Sequence, residues 1–133
     1  MSIGILLVTH NQIGQVLLET ALVNLGRENP GVQFVAVPFE SDPDLILAQC
    51  QHITLEINDG SGVLILTDLF GSTPSNIAHK LTTIKDTCVI AGLNLPMLMK
   101  VIDYSENSLD AIVSKALMGG KDGILASSNP TSN

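Results

Sequence analysis

A short apolar run near the start of the chain, residues 3–8, ends abruptly in the polar pair Thr9-His10. The run is too brief for a helix core, and its leucine and β-branched content favours a parallel strand that is buried on both faces. Such a strand has no place for a polar pair, so Thr9 and His10 are expected where the strand emerges. In an open α/β sheet that point is the carboxyl edge, where ligands bind.

The rest of the chain alternates strands and helices. Residues 32–37, 63–67 and 87–91 have the same apolar, strand-like character. The alternation predicts right-handed βαβ units and an α/β fold with a doubly wound, mainly parallel sheet of strand order 2-1-3-4. A short last strand is expected at residues 122–126. We predict one domain over residues 1–126, followed by a polar tail, 127–133, of disordered composition.

Helix boundaries are indicated by capping residues. Asp42 is the expected N-cap of the second helix, and either Ser72 or Thr73 is that of the third. Gly119-Gly120 is expected to end the last helix. The first helix should end at Gly26 and cover the first strand with its apolar residues, namely Ile13, Val16, Leu17, Ala21 and Leu25.

Composition excludes several classes of protein. Six Lys and Arg against thirteen Asp and Glu give a net charge of −7, which argues against nucleic-acid binding. No apolar run approaches the roughly 20 residues that a membrane helix requires, and the start of the chain does not read as a signal peptide, so the cytoplasm is expected. Cys50 and Cys88 have no metal-binding spacing and are expected to be buried free thiols.

Polar residues follow two strands that should be neighbours. In a sheet of order 2-1-3-4, the first and third strands are adjacent, and their carboxyl ends would place His10 beside Asp68. A carboxylate that accepts the proton on one ring nitrogen fixes the tautomer and leaves the lone pair of the other nitrogen free for attack. This pair is therefore a candidate nucleophile with its orienting group.

The start of the third helix offers a place for an anion. Ser72, Thr73 and the amides behind them would form a helix N-terminus, which binds anions through free N–H groups and the helix dipole. The set suits a phosphoryl group carried on His10. The sequence contains no Walker loop, no GxGxxG after a strand and no HExxH, so neither a nucleotide cofactor nor a metal is expected.

Three ordered segments carry a family resemblance: GILLVTH at residues 4–10, TDLFGSTPSN at 67–76 and VIAGLNLPM at 89–97. With them the chain resembles the mannose-family enzyme IIA domain of the bacterial phosphoenolpyruvate-dependent sugar phosphotransferase system (PTS), from residue 3 to about residue 126. Two positions depart from the family pattern. Ser72 stands where a second glycine is frequent, and Asn11 stands where glycine often follows the histidine.

The resemblance implies a function and its partners. His10 would accept a phosphoryl group from the phosphohistidine of the carrier protein HPr, Asp68 would orient the His10 ring, and Ser72 and Thr73 would help to hold the phosphoryl group. The onward acceptor would be a IIB protein on a separate chain. The resemblance also implies a homodimer in which residues 122–126 pair antiparallel with the partner subunit's sheet.

The sequence leaves two other functional hypotheses open. In one, the protein is a regulatory module whose His10 phosphorylation changes its binding to a target protein without sugar transport. In the other, it is a small-molecule-binding α/β dimer in which His10 and Asp68 are ligands of the bound molecule. The sequence does not name the sugar.

Overall fold

The computed structural model describes residues 2–130; Met1 and residues 131–133, the last part of the predicted polar tail, lie outside the described residues. Four strands form one parallel sheet: β1 (Gly4–His10), β2 (Gln33–Val37), β3 (Val63–Thr67) and β4 (Thr87–Ala91). The strand order is β2-β1-β3-β4, which confirms the predicted doubly wound topology.

Five α-helices cover the two faces of this sheet. They are α1 (Ile13–Leu25), α2 (Pro43–Ile57), α3 (Thr73–Lys80), α4 (Leu95–Asp103) and α5 (Leu109–Asp122), and a short 3-10 turn (Leu81–Thr83) follows α3. One core lies between the sheet and α1, α4 and α5, and a second lies between the sheet and α2 and α3. Since both faces are covered, the strands are almost entirely apolar.

The caps follow the local chemistry of the sequence. Asp42, as predicted, accepts a hydrogen bond from the amide of Asp44 at the start of α2, and Ser72 rather than Thr73 caps α3. Gly26 ends α1 in a left-handed conformation (φ 63°).

The predicted inner face of α1 is confirmed only in part: Ala21 is buried and Leu17 and Leu25 pack against the core, but Ile13 and Val16 do not. Gly14, Leu18 and Ala21 are buried, whereas Ile13 and Val16 are 44% and 57% exposed. The helix is apolar on nearly all sides, so periodicity alone did not identify its inner face. As a result, Ile13 and Val16 present an apolar surface next to the end of β1.

The prediction that Gly119-Gly120 ends the last helix is wrong, because α5 continues to Asp122. Both glycines are buried where α5 packs on α4. A Cβ at Gly119 would lie 2.9 Å from the Cβ of Lys100, and one at Gly120 would lie 2.8 Å from the Cε of Met97. These residues are small because the two helices approach closely.

The predicted last strand, 122–126, is not formed within the single chain. Asp122 belongs to α5, and residues 124–129 have neither helical nor strand structure. Ile124 and Leu125 are 74% and 86% exposed. Pairing of this segment with a partner subunit stays a prediction.

Candidate functional site

His10 and Asp68 meet at the carboxyl edge of the sheet, between β1 and β3. Strand order reverses at this pair of strands, which is where open α/β sheets form their binding crevice. The Nδ1 atom of His10 lies 2.8 Å from the Oδ2 atom of Asp68, and the same oxygen accepts a hydrogen bond from the main-chain N–H of His10 at 3.2 Å. The predicted proximity of the two side chains is thus present in the fold.

This geometry determines the tautomer of the neutral imidazole ring. A carboxylate can only accept, so in the neutral ring Nδ1 carries the proton and Nε2 keeps its lone pair. The His10 side chain is 39% exposed, whereas that of Asp68 is only 11% exposed. The pair therefore combines a largely buried carboxyl group with a partly exposed imidazole whose Nε2 is able to act as a nucleophile.

The turn after His10 is tightly held. Asn11 has a positive φ of 43°, which asparagine tolerates better than most residues, and its N–H donates to the main-chain oxygen of Val37. Asn11 therefore turns the chain from β1 into α1, and its hydrogen bond to Val37 at the end of β2 holds this turn in place. Asparagine thus supports this backbone conformation where the family often has glycine.

The loop from Asp68 to α3 is closed by its own hydrogen bonds. The Oγ of Ser72 donates to the carbonyl oxygen of Leu69 at 2.6 Å and accepts from the N–H of Ser75 at 3.4 Å. Gly71, with φ 84°, donates its N–H to the Oγ of Ser75. The Ser72 hydroxyl is thus occupied in shaping the loop and capping α3.

Thr73 is the free donor at this helix start. Its side chain is exposed and makes no hydrogen bond within residues 2–130. Its main-chain N–H belongs to the first turn of α3, where amides have no partner inside the helix. The two predicted phosphoryl-binding residues therefore differ in what they can offer an anion.

The loop after β4 has a structural role. The N–H groups of Gly92 and Leu93, after β4, both donate to the carbonyl oxygen of Thr67 at 3.0 Å. Asn94 caps α4 through the N–H of Met97 and also donates to the carbonyl oxygen of Gly120. These hydrogen bonds hold the loop after β4 against the end of β3.

Exposed apolar side chains surround the crevice, a feature that periodicity did not reveal. Ile13 and Val16 lie just after β1, Phe39 follows β2, and Leu69 and Phe70 follow β3. Phe39 is 97% exposed and Phe70 is 75% exposed. Large apolar groups gathered at one edge are typical of surfaces that bind another protein.

The other two histidines have partners of their own, and the ring of His79 also meets that of Phe70 edge-on. His52 is exposed and faces Glu56 on α2, and Nδ1 of His79 donates to the carbonyl oxygen of Ser75. Cys50 is a buried free thiol as predicted, but Cys88 is only partly buried. Within residues 2–130 no group of three or more His, Cys, Asp or Glu side chains is placed to hold a metal ion.

Comparison with known families identifies the chain. Residues 4–117 match the EIIA-man family, described as the PTS system fructose IIA component. The chain belongs to this family. It is a IIA chain of the mannose/fructose type of phosphotransferase system.

Two relatives, one described as mannose-specific and the other as fructose-specific, are similar to the chain over most of its length. It is 34% identical over 131 residues to the mannose-specific PTS EIIAB component of Escherichia coli, with 95% of this chain and 40% of that protein aligned. It is 31% identical over 108 residues to the fructose-specific EIIA component of Bacillus subtilis, with 79% and 72% aligned. The chain thus spans about two fifths of the length of its mannose-type relatives.

Solved structures show the same fold. The mannose/sorbose-specific IIA subunit from Enterococcus faecalis superposes with a TM-score of 0.85 at 23% identity, over 100% of both chains. EIIA from Streptococcus agalactiae gives a TM-score of 0.82 at 26% identity, over 93% of this chain and 96% of that one. Among residues 2–130, no helix is both long and apolar enough to cross a membrane.

Proposed function

We propose that the IIA chain carries a phosphoryl group on Nε2 of His10, which it receives from the phosphohistidine of HPr and passes to a IIB domain. The observation that carries this proposal is the 2.8 Å contact between Nδ1 of His10 and Oδ2 of Asp68. That contact occupies one ring nitrogen and leaves the other available on a partly exposed side chain. The fold and the family are consistent with this role.

The transfer step follows from the ring geometry. The lone pair on Nε2 of His10 attacks the phosphorus of the donor phosphohistidine while the donor P–N bond breaks and its electron pair returns to the donor imidazole. The new P–N bond leaves positive charge on the His10 ring, and the Nδ1 proton stays in its hydrogen bond to Asp68. The adjacent carboxylate stabilises this charge in a half-buried setting, where it is worth more than in water.

The phosphoryl oxygens are held at the start of α3. Thr73 supplies its main-chain N–H and its hydroxyl, and the helix dipole favours the negative charge. Ser72 contributes indirectly, since its hydroxyl holds the loop in shape. These donors are neutral, so an arriving phosphoryl group is stabilised without being trapped by a fixed positive charge.

The surroundings of His10 favour a protein donor over a small molecule. The exposed apolar side chains at this edge, including Phe39, Leu69 and Phe70, offer contact area to a partner that covers the crevice. A small-molecule site would instead be expected to enclose its ligand within a largely preformed cavity. HPr and a IIB domain would use the same surface in turn.

The homodimer is part of the proposal. β4 is an edge strand, and beside it lies an open, mostly apolar groove lined by Phe70, His79, Cys88, Val113 and Leu117 among others. An edge strand offers unpaired N–H and C=O groups to another strand. The exposed Ile124 and Leu125 of a second copy would fill the groove and pair with this edge.

Phosphoryl uptake tests the function directly. The purified chain is mixed with phosphoenolpyruvate, enzyme I and HPr, and its intact mass is followed. We expect one acid-labile phosphoryl adduct on the wild type and none on His10→Ala. His52→Ala is the matched control, because His52 is exposed on α2 far along the chain and should leave uptake unchanged. Absence of an adduct, with HPr itself phosphorylated, would contradict the proposal and favour ligand binding.

A further inference from the structure

Both main-chain polar atoms of His10 are held by side chains. Its N–H donates to Oδ2 of Asp68 at 3.2 Å, and its carbonyl oxygen accepts from Oγ1 of Thr9 at 3.3 Å. The peptide groups on either side of the His10 Cα are therefore fixed from two directions. The direction in which the imidazole leaves the backbone depends on this pair of contacts as well as on the ring contact to Asp68.

Thr9 is an unusual residue for its position. It is 1% exposed and faces the apolar layer that contains α1, next to Leu7 along the same face of β1. A valine of the same shape would satisfy that layer, whereas a buried hydroxyl costs free energy unless it is hydrogen-bonded. The Thr9 hydroxyl therefore needs hydrogen-bond partners. The partners that it has connect Thr9 to the site.

The partner of Thr9 is the start of α1. Its Oγ1 accepts the N–H of Gly14 at 2.8 Å, in a fully buried contact. Gln12, at the N-cap position of α1, makes no side-chain capping bond. Thr9 thus takes the capping role from within the preceding strand and closes a short loop that carries His10 and Asn11.

Gly14 makes this contact possible. A Cβ at Gly14 would lie 3.1 Å from Oγ1 of Thr9 and 3.3 Å from the Cβ of Leu7. A Cβ there would require Thr9 or Leu7 to move by a few tenths of an ångström, so glycine allows the first turn of α1 to rest directly on the end of β1. This close approach packs the first turn of α1 against Thr9, the residue immediately before His10.

We propose that Thr9 is a positioning residue for phosphoryl transfer, whose hydroxyl holds the His10 backbone between β1 and α1 so that Nδ1 stays aligned with Asp68. This inference rests on the proposed function of His10. Misplacement of a reacting group by about 1 Å can cost on the order of 10²-fold in rate. A partial loss of alignment should therefore be measurable in the transfer rate.

Thr9→Val tests the role of the hydroxyl, since it keeps the shape and removes the oxygen. We expect the rate of phosphoryl uptake from HPr to fall by about 10-fold. We also expect the ring ¹⁵N shifts of the neutral His10 to move from one tautomer toward a mixture of two. Thr9→Ser keeps the hydroxyl and should retain the rate and the single tautomer.

Thr54→Val is the matched control. Thr54 is also fully buried and hydrogen-bonded, to the carbonyl oxygen of Cys50 in α2, so it experiences the same chemical change far from His10. If Thr9→Val and Thr54→Val have the same uptake rate and the same His10 tautomer, Thr9 is a structural residue only. Equal losses in Thr9→Ser and Thr9→Val would also overturn the inference.

The two proposals fail differently. If the wild type accepts no phosphoryl group, the proposed function is wrong, and the ring ¹⁵N shifts still report whether Thr9 orients His10. If the wild type is phosphorylated and Thr9→Val, confirmed as folded by circular dichroism, keeps both the rate and the tautomer, only the role of Thr9 is wrong. Should Thr9→Val not fold, a loss of rate or tautomer in Thr9→Ser would overturn the inference.

Discussion

One oxygen of Asp68, Oδ2, accepts two hydrogen bonds from His10, one from the ring and one from the backbone. The other oxygen, Oδ1, is buried and has no hydrogen-bond partner within residues 2–130. The carboxylate is therefore committed to a single neighbour. It therefore faces the ring that would become positive in the proposed phosphoryl transfer.

We expect Asp68→Asn to slow phosphoryl uptake by roughly 10²- to 10⁴-fold, by comparison with the loss of an orienting aspartate from a catalytic triad. The amide oxygen can still accept the Nδ1 proton but cannot stabilise a charged ring. Rapid-quench measurement of the phosphorylated fraction gives the rate. Asp103→Asn, on the exposed end of α4, is the control and should be unaffected. Equal rates for the two variants would remove Asp68 from the mechanism.

Ser72 and Thr73 should separate stability from activity. Ser72→Ala removes the cap of α3 and the bond to Leu69, so we expect the free energy of unfolding to fall by about 1 kcal/mol. Thr73→Val leaves the cap intact and should instead slow uptake by about 10²-fold, as expected for loss of a donor to the transferring group. Urea unfolding and uptake assays on both variants decide this. The reverse pattern would assign the phosphoryl contact to Ser72.

The contact of α5 with α4 should not tolerate a methyl group at Gly119. Although alanine is favoured over glycine inside helices, Gly119→Ala places a Cβ 2.9 Å from the Cβ of Lys100, and we expect a loss of about 1–3 kcal/mol in unfolding free energy. Gly120→Ala should cost less, because the nearest atom is the flexible Cε end of Met97. Ser114→Ala, exposed on α5, is the control. A stabilised Gly119→Ala would contradict this packing.

The two thiols should react at different rates. Burial raises the pKa of Cys50 to about 12, so at pH 8 roughly one thiol in 10⁴ is ionised, and only the thiolate reacts. Burial and the nearby Asp110 also raise the pKa of Cys88, which is more exposed. In the folded chain we expect alkylation of Cys88 before Cys50, with rates that rise with pH. Peptide mapping measures both, and urea should abolish the difference.

The proposed dimer should depend on the exposed segment after α5. We expect Leu125→Asp to convert a wild-type dimer into a monomer, because a charge cannot enter the apolar groove beside β4. Leu55→Asp, on the exposed face of α2, is the matched control and should remain dimeric. Light scattering after gel filtration gives the mass. A monomeric wild type, or a dimeric Leu125→Asp variant, would contradict the proposed pairing between subunits.

Much of the fold was predictable because its signals are local. Each buried strand is a continuous apolar run, and Asp42 and Gly26 mark helix ends by their own backbone and side-chain preferences. The order of the strands is the one expected for a doubly wound sheet built from right-handed βαβ units. In that order β1 and β3 are neighbours, so the proximity of His10 and Asp68 at their carboxyl ends follows.

The failures have a common cause. Gly119 and Gly120 look like a helix end, but they are required by the close approach of α4, whose contacting residues lie outside the local sequence around the two glycines. Likewise, Gly14 brings the first turn of α1 against β1, so Ile13 and Val16 are exposed although their spacing is helical. Contacts between elements override local preferences at such positions.

The sequence by itself determined the alternating elements, the parallel sheet and the residues able to carry the chemistry, because hydrophobic periodicity and capping act within a few neighbouring residues. Only the tertiary structure decided how those residues are used. It turns Nδ1 of His10 toward Asp68, engages the hydroxyl of Ser72 within its own loop and leaves Thr73 free. These assignments depend on distances between segments about 60 residues apart, which exist only once the sheet has formed.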